Sequence, residues 1–510
     1  MAPASTDDER PADTRLAEFE AAVADRDAAL ADRNTALARV EKLESALAER
    51  AAALALINEQ VAQLTAQVAL LTEQLGQNSS NSHRPPSSDG PGSGAGKRRG
   101  GKEGKRKRGG QKGHRGAHRE LVPVERVDEI VELFPEVCLG CAMALPQIHD
   151  TDPHRYQLIE LLLGKSHITE FRRHEVQCPR CGHWTLAAYD NSKIPSSPFG
   201  PRLIAVVAML TGVYHLSRRK AQQLLRELFG IEISLGALSR MEARASQALK
   251  SAFDEAQREV ERADVKHTDA TSWIRAGIWM SLWVLASMMA TVYRIVADGR
   301  RETIQPFYGP LIGILISDRA TVFGFWSMAL RQICWAHLIR KFVAFSERDG
   351  PAGAIGRELL DCAALVFDYW HRFKDSALTR EELEIWMRPV RQHFEAVLAR
   401  AVASDIERVS GSCANILAHA EALWTFVTHD GVEPTNNHAE RELRAFVLWR
   451  KSSFGSQSER GERFAERLMT VAHTARKQGK DVLDFIVRSV TAHIRGTSPP
   501  TLIAGVLQPA

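Results

Sequence analysis

Residues 311–319 read Leu-Ile-Gly-Ile-Leu-Ile-Ser-Asp-Arg. An uncharged aliphatic run is closed abruptly by an acid. Strands buried on both faces read this way, as continuous rather than alternating apolar runs. A carboxylate at the end of such a strand is held rigidly at the edge of a core, where a metal ligand is most useful. Taken alone, Asp318 would more simply cap the following turn. The company it keeps at Asp269 and Glu440 favours the ligand reading.

Working outward, Val265-Lys-His-Thr-Asp269 opens a domain with a strand. Residues 276–293 carry no charge for eighteen positions, the length of a marginal membrane span. Ser287-Met288-Met289 interrupts the run, which is rich in Trp and β-branched residues. Two buried strands joined by a tight turn explain it better. A helix near 301–308 precedes the strand that opens at Leu311. Three strands, a helix and a fourth strand is the opening of a ribonuclease H-like sheet. The first and fourth strands are neighbours there, so Asp269 and Asp318 meet.

The third acid lies in Glu-Pro-Thr-Asn-Asn-His-Ala-Glu, residues 433–440. Asn436 and Asn437 offer helix N-caps, and Glu440 follows within the first turn. Arg444, at i+4, is placed to hold Glu440 by an ion pair. Arg441, Arg444, Arg450 and Lys451 supply positive charge where a DNA backbone would lie; a salt-bridged surface helix is the plainer alternative. Residues 340–430 read as helices. Cys334 and His337 read as packing groups or a DNA contact rather than metal ligands, and Cys362 and Cys413 as core thiols. The tail from Lys477 reads as one more helix and a loose end.

The length of 510 residues implies several domains. The net charge of +4 conceals an uneven distribution. Phe19, Val40, Leu47, Leu54, Val61, Val68 and Leu75 lie on one series spaced by seven, interrupted by Arg26 and Arg33. Companion stripes run through Leu16, Val23, Leu30 and Leu37, then Ile57, Leu64 and Leu71. The spacing predicts a left-handed coiled coil with a register change near 40–47, and dimerisation through it. A Ser/Gly/Pro-rich linker follows at 77–96. Eight of the twelve residues from Lys97 to Arg108 are basic. Glycines keep this arm loose enough to track phosphates and release counterions, through Lys97, Arg98, Arg99, Lys105, Arg106, Lys107, Arg108, Lys112 and Arg115. Such a segment positions without reading sequence.

Seven cysteines, four of them in two C-x2-C pairs, argue against a secreted disulfide framework. Cys138, Cys141, Cys178 and Cys181 have the spacing of a closed structural Zn²⁺ site. The first residues lack the basic start and apolar stretch of a signal peptide. From 191 to 262 the pattern is helical, with Ser234 as a cap and helix-turn-helix-like spacing around Gly230.

With these residues in hand, the chain resembles a transposase of the insertion-sequence-66 family. The resemblance rests on Asp269 in HTDATSW, Asp318 in ISDR, Glu440 in NNHAER, the GGQKGHRG arm, the C-x2-C pairs, CWAH at 334–337 and RKSSF from Arg450. It covers nearly the whole chain. It implies that Asp269, Asp318 and Glu440 hold two Mg²⁺ ions, with Mn²⁺ an alternative, for cleavage of element ends and strand transfer into target DNA. The implied partners are double-stranded DNA, a second copy of the chain and small accessory proteins. The implied place is the bacterial cytoplasm, at the nucleoid, with no membrane association. Ala270 stands where the family usually has Glu, and Thr435 where it usually has Asp. A catalytically silent DNA-binding regulator is therefore the second hypothesis.

The expected architecture is multidomain α+β. A coiled coil spans 1–77, a linker and basic arm 78–120, and a zinc-ribbon-like module 121–190. A helical module at 191–262 precedes a ribonuclease H-like α/β catalytic domain at 263–476 with an all-helical insertion at 340–430. A helix and tail close the chain at 477–510.

Overall fold

The computed structural model describes residues 12–76, most of 121–149, parts of 151–186, and 197–503. The basic arm, Cys138 and Cys178 lie outside the described residues.

Ala12–Gly76 is one unbroken helix, α1. At 1.5 Å per residue it is roughly 98 Å long. With no Pro or Gly before its last residue, nothing in the backbone stops it. Leu16, Phe19, Leu30, Leu37, Val40, Leu47, Leu54, Val61 and Leu64 are all exposed along it.

In the other unit, Glu175–Gln177 (β1) and Trp184–Leu186 (β2) form an antiparallel hairpin. Cys181 lies in the turn between these strands, and Cys141 in an earlier turn. Both are exposed. The expected four-cysteine site thus falls half on described residues.

Pro201–Ala208 (α2), Arg218–Phe229 (α3), Leu235–Ala248 (α4) and Lys250–Arg262 (α5) follow. Ser217 and Ser234 cap α3 and α4 by accepting the N–H of Lys220 and Ala237. Gly230, at φ +61°, ends α3 in the left-handed conformation that glycine adopts freely. The helix-turn-helix spacing is present, but α4 buries Leu238, Met241 and Ala245 against its neighbours. Its other face, through Gly236, Arg240, Arg244 and Gln247, stays at least partly open to solvent, and α3 is exposed over most of its length. Arg218 at its start is engaged by Glu242 at 2.5 Å.

Five strands form the central sheet: Val265–Arg275 (β3), Ile278–Ala286 (β4), Thr291–Val296 (β5), Ile314–Ser317 (β6) and Arg331–Ile333 (β7). A short helix, Arg301–Ile304 (α6), lies between β5 and β6. The sheet order is β5-β4-β3-β6-β7. β3, β4 and β5 pair antiparallel, and β6 and β7 continue parallel to β3. The uncharged run at 276–293 is the β4–β5 hairpin, as expected, closed by the Ser287 N–H donating to the Ala290 carbonyl at 2.8 Å. Among the described residues no helix is long and apolar enough to cross a membrane.

Two expectations need correction. The strand expected from Leu311 begins at Ile314. Gly313 sits at φ +72° with its α-carbon hard against the chain, where an added Cβ would lie 2.6 Å from the Asp264 carbonyl oxygen. The backbone turns there before it can pair. The sequence reading also passed over β7, because Arg331-Gln332-Ile333 is short and polar.

The remaining helices are Trp335–Ser346 (α7), Gly350–Lys374 (α8), Arg380–Ala403 (α9), Ser410–Leu417 (α10), Thr425–Thr428 (α11), Asn437–Ser453 (α12), Glu459–Lys477 (α13) and Val482–Arg495 (α14). The all-helical insertion is therefore present as α7–α11. It has its own core, into which β6 sends Ile314 and Ile316. Leu315 points to the larger core, shared by α2, α4, α5, β4, β5 and α12–α14. β6 is thus apolar on both sides because each side faces a core.

The outer edge of β5 is covered rather than exposed. The N–H groups of Thr291, Tyr293 and Ile295 donate to Thr474 Oγ1 (3.1 Å), Thr470 Oγ1 (3.1 Å) and Glu466 Oε1 (2.6 Å). Four residues of helix rise about 6 Å and two of strand about 7 Å, so the two repeats stay in step. An edge that would otherwise recruit another strand is closed by side chains of α13. Near the last described residues, the N–H groups of Leu502 and Ile503 are bound by the Glu255 carboxylate at 2.8 and 3.0 Å.

Candidate active site: three acids from three elements

The register of β3 and β6 brings the first two acids level. His267 is paired with Ile316, and two residues further along each chain stand Asp269 and Asp318. Neighbouring strands are spaced by about 4.8 Å. Asp318 lies just past the end of β6. Its Oδ1 accepts the Ala320 N–H at 3.0 Å, so the turn-capping role is real. Arg331, on the missed strand β7, donates to the Asp318 carbonyl and to Ser317 Oγ, both at 3.0 Å. Asp269 Oδ1 accepts the Ala270 N–H at 2.8 Å. Beneath it, the Thr268 hydroxyl donates to the Val284 carbonyl at 2.8 Å and meets Tyr308 Oη at 2.7 Å.

Glu440 arrives from α12. Asn436 stands at the N-cap position, yet its side chain does not cap the helix. It crosses to β3 instead, donating from Nδ2 to the Thr268 carbonyl at 2.7 Å and meeting His267 Nδ1 at 3.3 Å. Its own N–H donates to Cys334 Sγ at 3.1 Å. The Trp335 N–H donates to the Pro434 carbonyl at 2.9 Å. The 434–436 segment is thereby fastened to β3 and to the start of α7, which fixes the first turn of α12. Asn436 is fully buried and has these partners in place of water.

Lower on α12, Glu442 binds His473 Nδ1 at 2.5 Å and Lys477 Nζ at 3.1 Å. Burial works against its charge, but these two partners hold its pKa down at about 2. This network ties α12 to α13. At the far end, Arg450 donates to Thr271 and Ser272 of β3. Gly455, at φ +94°, lies so close to β3 that an added Cβ would meet the Ile274 carbonyl oxygen at 2.1 Å. Gly455→Ala is expected to cost about 2 kcal/mol or more of stability, read as a lower denaturation midpoint in urea.

Asp269 feels the other two acids. Burial, then Asp318 and Glu440, push the Asp269 carboxyl up to about 7, against the Ala270 N–H and Arg340. Glu440 Oε2 lies 3.8 Å from Arg340 Nη2, on α7. This corrects the expected local pair: the ion pair of Glu440 among the described residues is with Arg340, not Arg444. Arg444 is exposed, as are Arg441 and Lys451. Glu440 Oε1 is buried with no hydrogen-bond partner among the described residues. Cys334 Sγ, a ring nitrogen of His337 and a carboxylate oxygen of Glu440 all lie within 4.8 Å of one another.

Sequence reasoning missed Arg331, Arg340 and the bridging use of Asn436. Cys334, His337 and Arg340 recur every three residues at the start of α7, which puts them on one helical face. That spacing was the available signal.

Chemically, the arrangement places three half-buried carboxyl groups close enough for Asp318 and Glu440 to act on Asp269, with the Arg340 guanidinium beside Glu440; among the described residues the only three ligand groups within 4.8 Å of one another are Cys334, His337 and Glu440. Residues 196–463 match the sequence family described as "Transposase IS66 family". Residues 9–120 match a family of unknown function (DUF6444). A protein from Sinorhizobium fredii (strain NBRC 101917 / NGR234), named only "Uncharacterized protein y4qI", is 27% identical over 172 residues. That match spans 32% of this chain and 31% of the relative, so the two share about a third of their lengths. The IS66 match extends over more than half of the chain and takes in β3 to β7, the helical insertion and α12, and with them all three acids: the chain belongs to the IS66 transposase family.

Proposed function

We propose that the protein is a metal-dependent DNA transposase that cleaves DNA at the ends of its element and joins the freed 3′-hydroxyl to target DNA. The reading is supported by the strand register that sets Asp269 and Asp318 level and by the electrostatic influence on Asp269 of Glu440, 122 residues or more from either in the chain. The strand order, an antiparallel trio continued by two parallel strands, agrees with a ribonuclease H-like sheet.

The acids fit a divalent cation. Burial and two neighbouring carboxylates hold the Asp269 carboxyl near pKa 7 in spite of Arg340, and Glu440 Oε1 has no hydrogen-bond partner among the described residues. An all-oxygen set of this kind suits Mg²⁺, or Mn²⁺ in its place. A bound pair of such ions supplies activation of the attacking oxygen and stabilisation of the leaving oxygen in an in-line displacement at phosphorus. The chain's own contribution is positioning. Asp269 and Asp318 are fixed by strand register and local N–H groups, and Glu440 by the Asn436 crossing. Arg340, beside Glu440, stands where a phosphate oxygen would be neutralised.

Double-stranded DNA is the partner. Arg441, Arg444 and Lys451 offer exposed charge on α12, and Lys97 to Arg115 offer an arm for the phosphate backbone. Arg450 holds α12 to β3 and contributes chiefly through that bond. Cys138, Cys141, Cys178 and Cys181 hold one structural Zn²⁺. The exposed heptad stripe of α1 is covered by the same stripe of a second copy. Small accessory proteins complete the assembly. The work takes place in the bacterial cytoplasm at the nucleoid.

The test is Mg²⁺-dependent nicking of DNA carrying candidate element ends. The parent should cut at the ends, and Asp318→Ala and Glu440→Ala should not. Equal cutting by all three would remove the enzyme reading. Specific binding by a parent that never cuts would favour the silent regulator, with Ala270 and Thr435 as its marks.

A further inference from the structure

We propose that Cys334, His337 and Glu440 form a separate site for a thiophilic divalent ion, Zn²⁺ by its ligand set, and that its occupancy withdraws Glu440 from the acid cluster. The site stands on its own geometry; only the consequence for Glu440 rests on the function proposed above.

Cys334 is the N-cap of α7 and His337 lies within its first turn, so one rigid helix end aims a sulfur and an imidazole the same way. Glu440 faces them from α12. Their ligand atoms lie within 4.8 Å of one another. A tetrahedral zinc centre, with bonds of about 2.0–2.3 Å, separates its ligand atoms by roughly 3.5 Å. The atoms need to draw together by at most about 1.3 Å. The spacing is maintained by bonds between the two elements: Asn436 N–H to Cys334 Sγ, and Trp335 N–H to the Pro434 carbonyl.

The sulfur accepts the Asn436 N–H, and a metal ion bound there would take the place of the thiol proton. A purely structural sulfur would need only the Asn436 contact, and would leave Glu440 Oε1 buried and unmatched. Sulfur and imidazole select zinc over magnesium, whereas Asp269 and Asp318 offer only oxygen. Glu440 is the ligand common to both sets. Zinc at this site would therefore compete with the Mg²⁺-bound arrangement.

The full-length protein, equilibrated with Zn²⁺ and freed of excess by gel filtration, is analysed for zinc per chain beside Cys334→Ser and His337→Gln. The serine retains an N–H acceptor and the glutamine retains the helix, and a far-ultraviolet spectrum matching the parent establishes that each has folded. The four-cysteine set contributes equally to all three proteins. Both variants should hold one zinc equivalent fewer than the parent. Equal zinc content in parent and variants would overturn the site. Nicking in Mg²⁺ with added Zn²⁺ is the second readout: half-inhibition of His337→Gln should need at least tenfold more zinc. An unchanged zinc sensitivity would overturn the withdrawal of Glu440. If the parent does not nick at all, that failure belongs to the enzyme reading, and the zinc count still decides the site.

Discussion

Asp269→Asn, Asp318→Asn and Glu440→Gln should each lower Mg²⁺-dependent cleavage of element-end DNA by about 10³-fold or more, while DNA affinity changes by less than about threefold. The substitutions are nearly isosteric, so packing is preserved and only a charged ligand is lost. Asp318→Asn keeps an oxygen for the Ala320 N–H, and Asp269→Asn keeps one for the Ala270 N–H. Glu440→Gln weakens the contact with Arg340 but not the Asn436 crossing that sets the helix. Binding is expected to survive because phosphate contacts supply most of the affinity and lie on other side chains. The split between cleavage and binding is the diagnostic feature. A fall in binding equal to the fall in cleavage would mark these acids as structural.

The second large effect concerns stability without metal. Asp269 titrates at about 7 in the folded protein against an ordinary 3.8. Between about pH 4 and pH 7 the folded chain therefore holds a proton that the unfolded chain has released. Stability from this group is fully present below the ordinary value and is lost as pH rises through the folded one. At pH 8 the metal-free parent bears the cost of a buried, mutually repelling anion, on the order of a few kcal/mol. Asp269→Asn removes that cost. In chelator at pH 8 the variant should melt about 3–6 °C above the parent, and the gap should close towards pH 4. Added Mg²⁺ should raise the melting point of the parent more than that of the variant. A variant less stable than the parent at pH 8 would show that Asp269 contributes to the fold rather than straining it.

Much of the architecture was legible because it rests on periodicity. Continuous apolar runs marked β4, β5 and β6, and a strand carrying Asp269 beside a strand ending in Asp318 followed from element order. The long N-terminal helix followed from its heptad stripes and from the lack of Pro and Gly between Ala12 and Leu75. What escaped was non-local. The i+4 rule offered Arg444 for Glu440, whereas the fold supplies Arg340 from a helix a hundred residues earlier. Asn436 looked like a cap because caps are a local habit of Asn; its side chain instead joins β3, a contact that only tertiary structure creates. β7 was invisible because it is three residues long and two of them, Arg331 and Gln332, are polar though buried. Arg331 serves the Asp318 carbonyl, and Gln332 meets the Leu423 carbonyl and the Phe426 N–H across the insertion. Buried polar residues that hold distant segments leave no periodic trace.

One divalent-ion site shared by three acids far apart in the chain can be mapped directly. Replacing Mg²⁺ by Fe²⁺ and adding ascorbate and peroxide generates radicals at the bound ion, which cut the polypeptide close to it. Backbone cuts should cluster around residues 269, 318 and 440 together, suppressed by excess Mg²⁺ and lost from all three places in Asp318→Asn. Cuts near only one of the three acids, or cuts that persist unchanged in that variant, would contradict it.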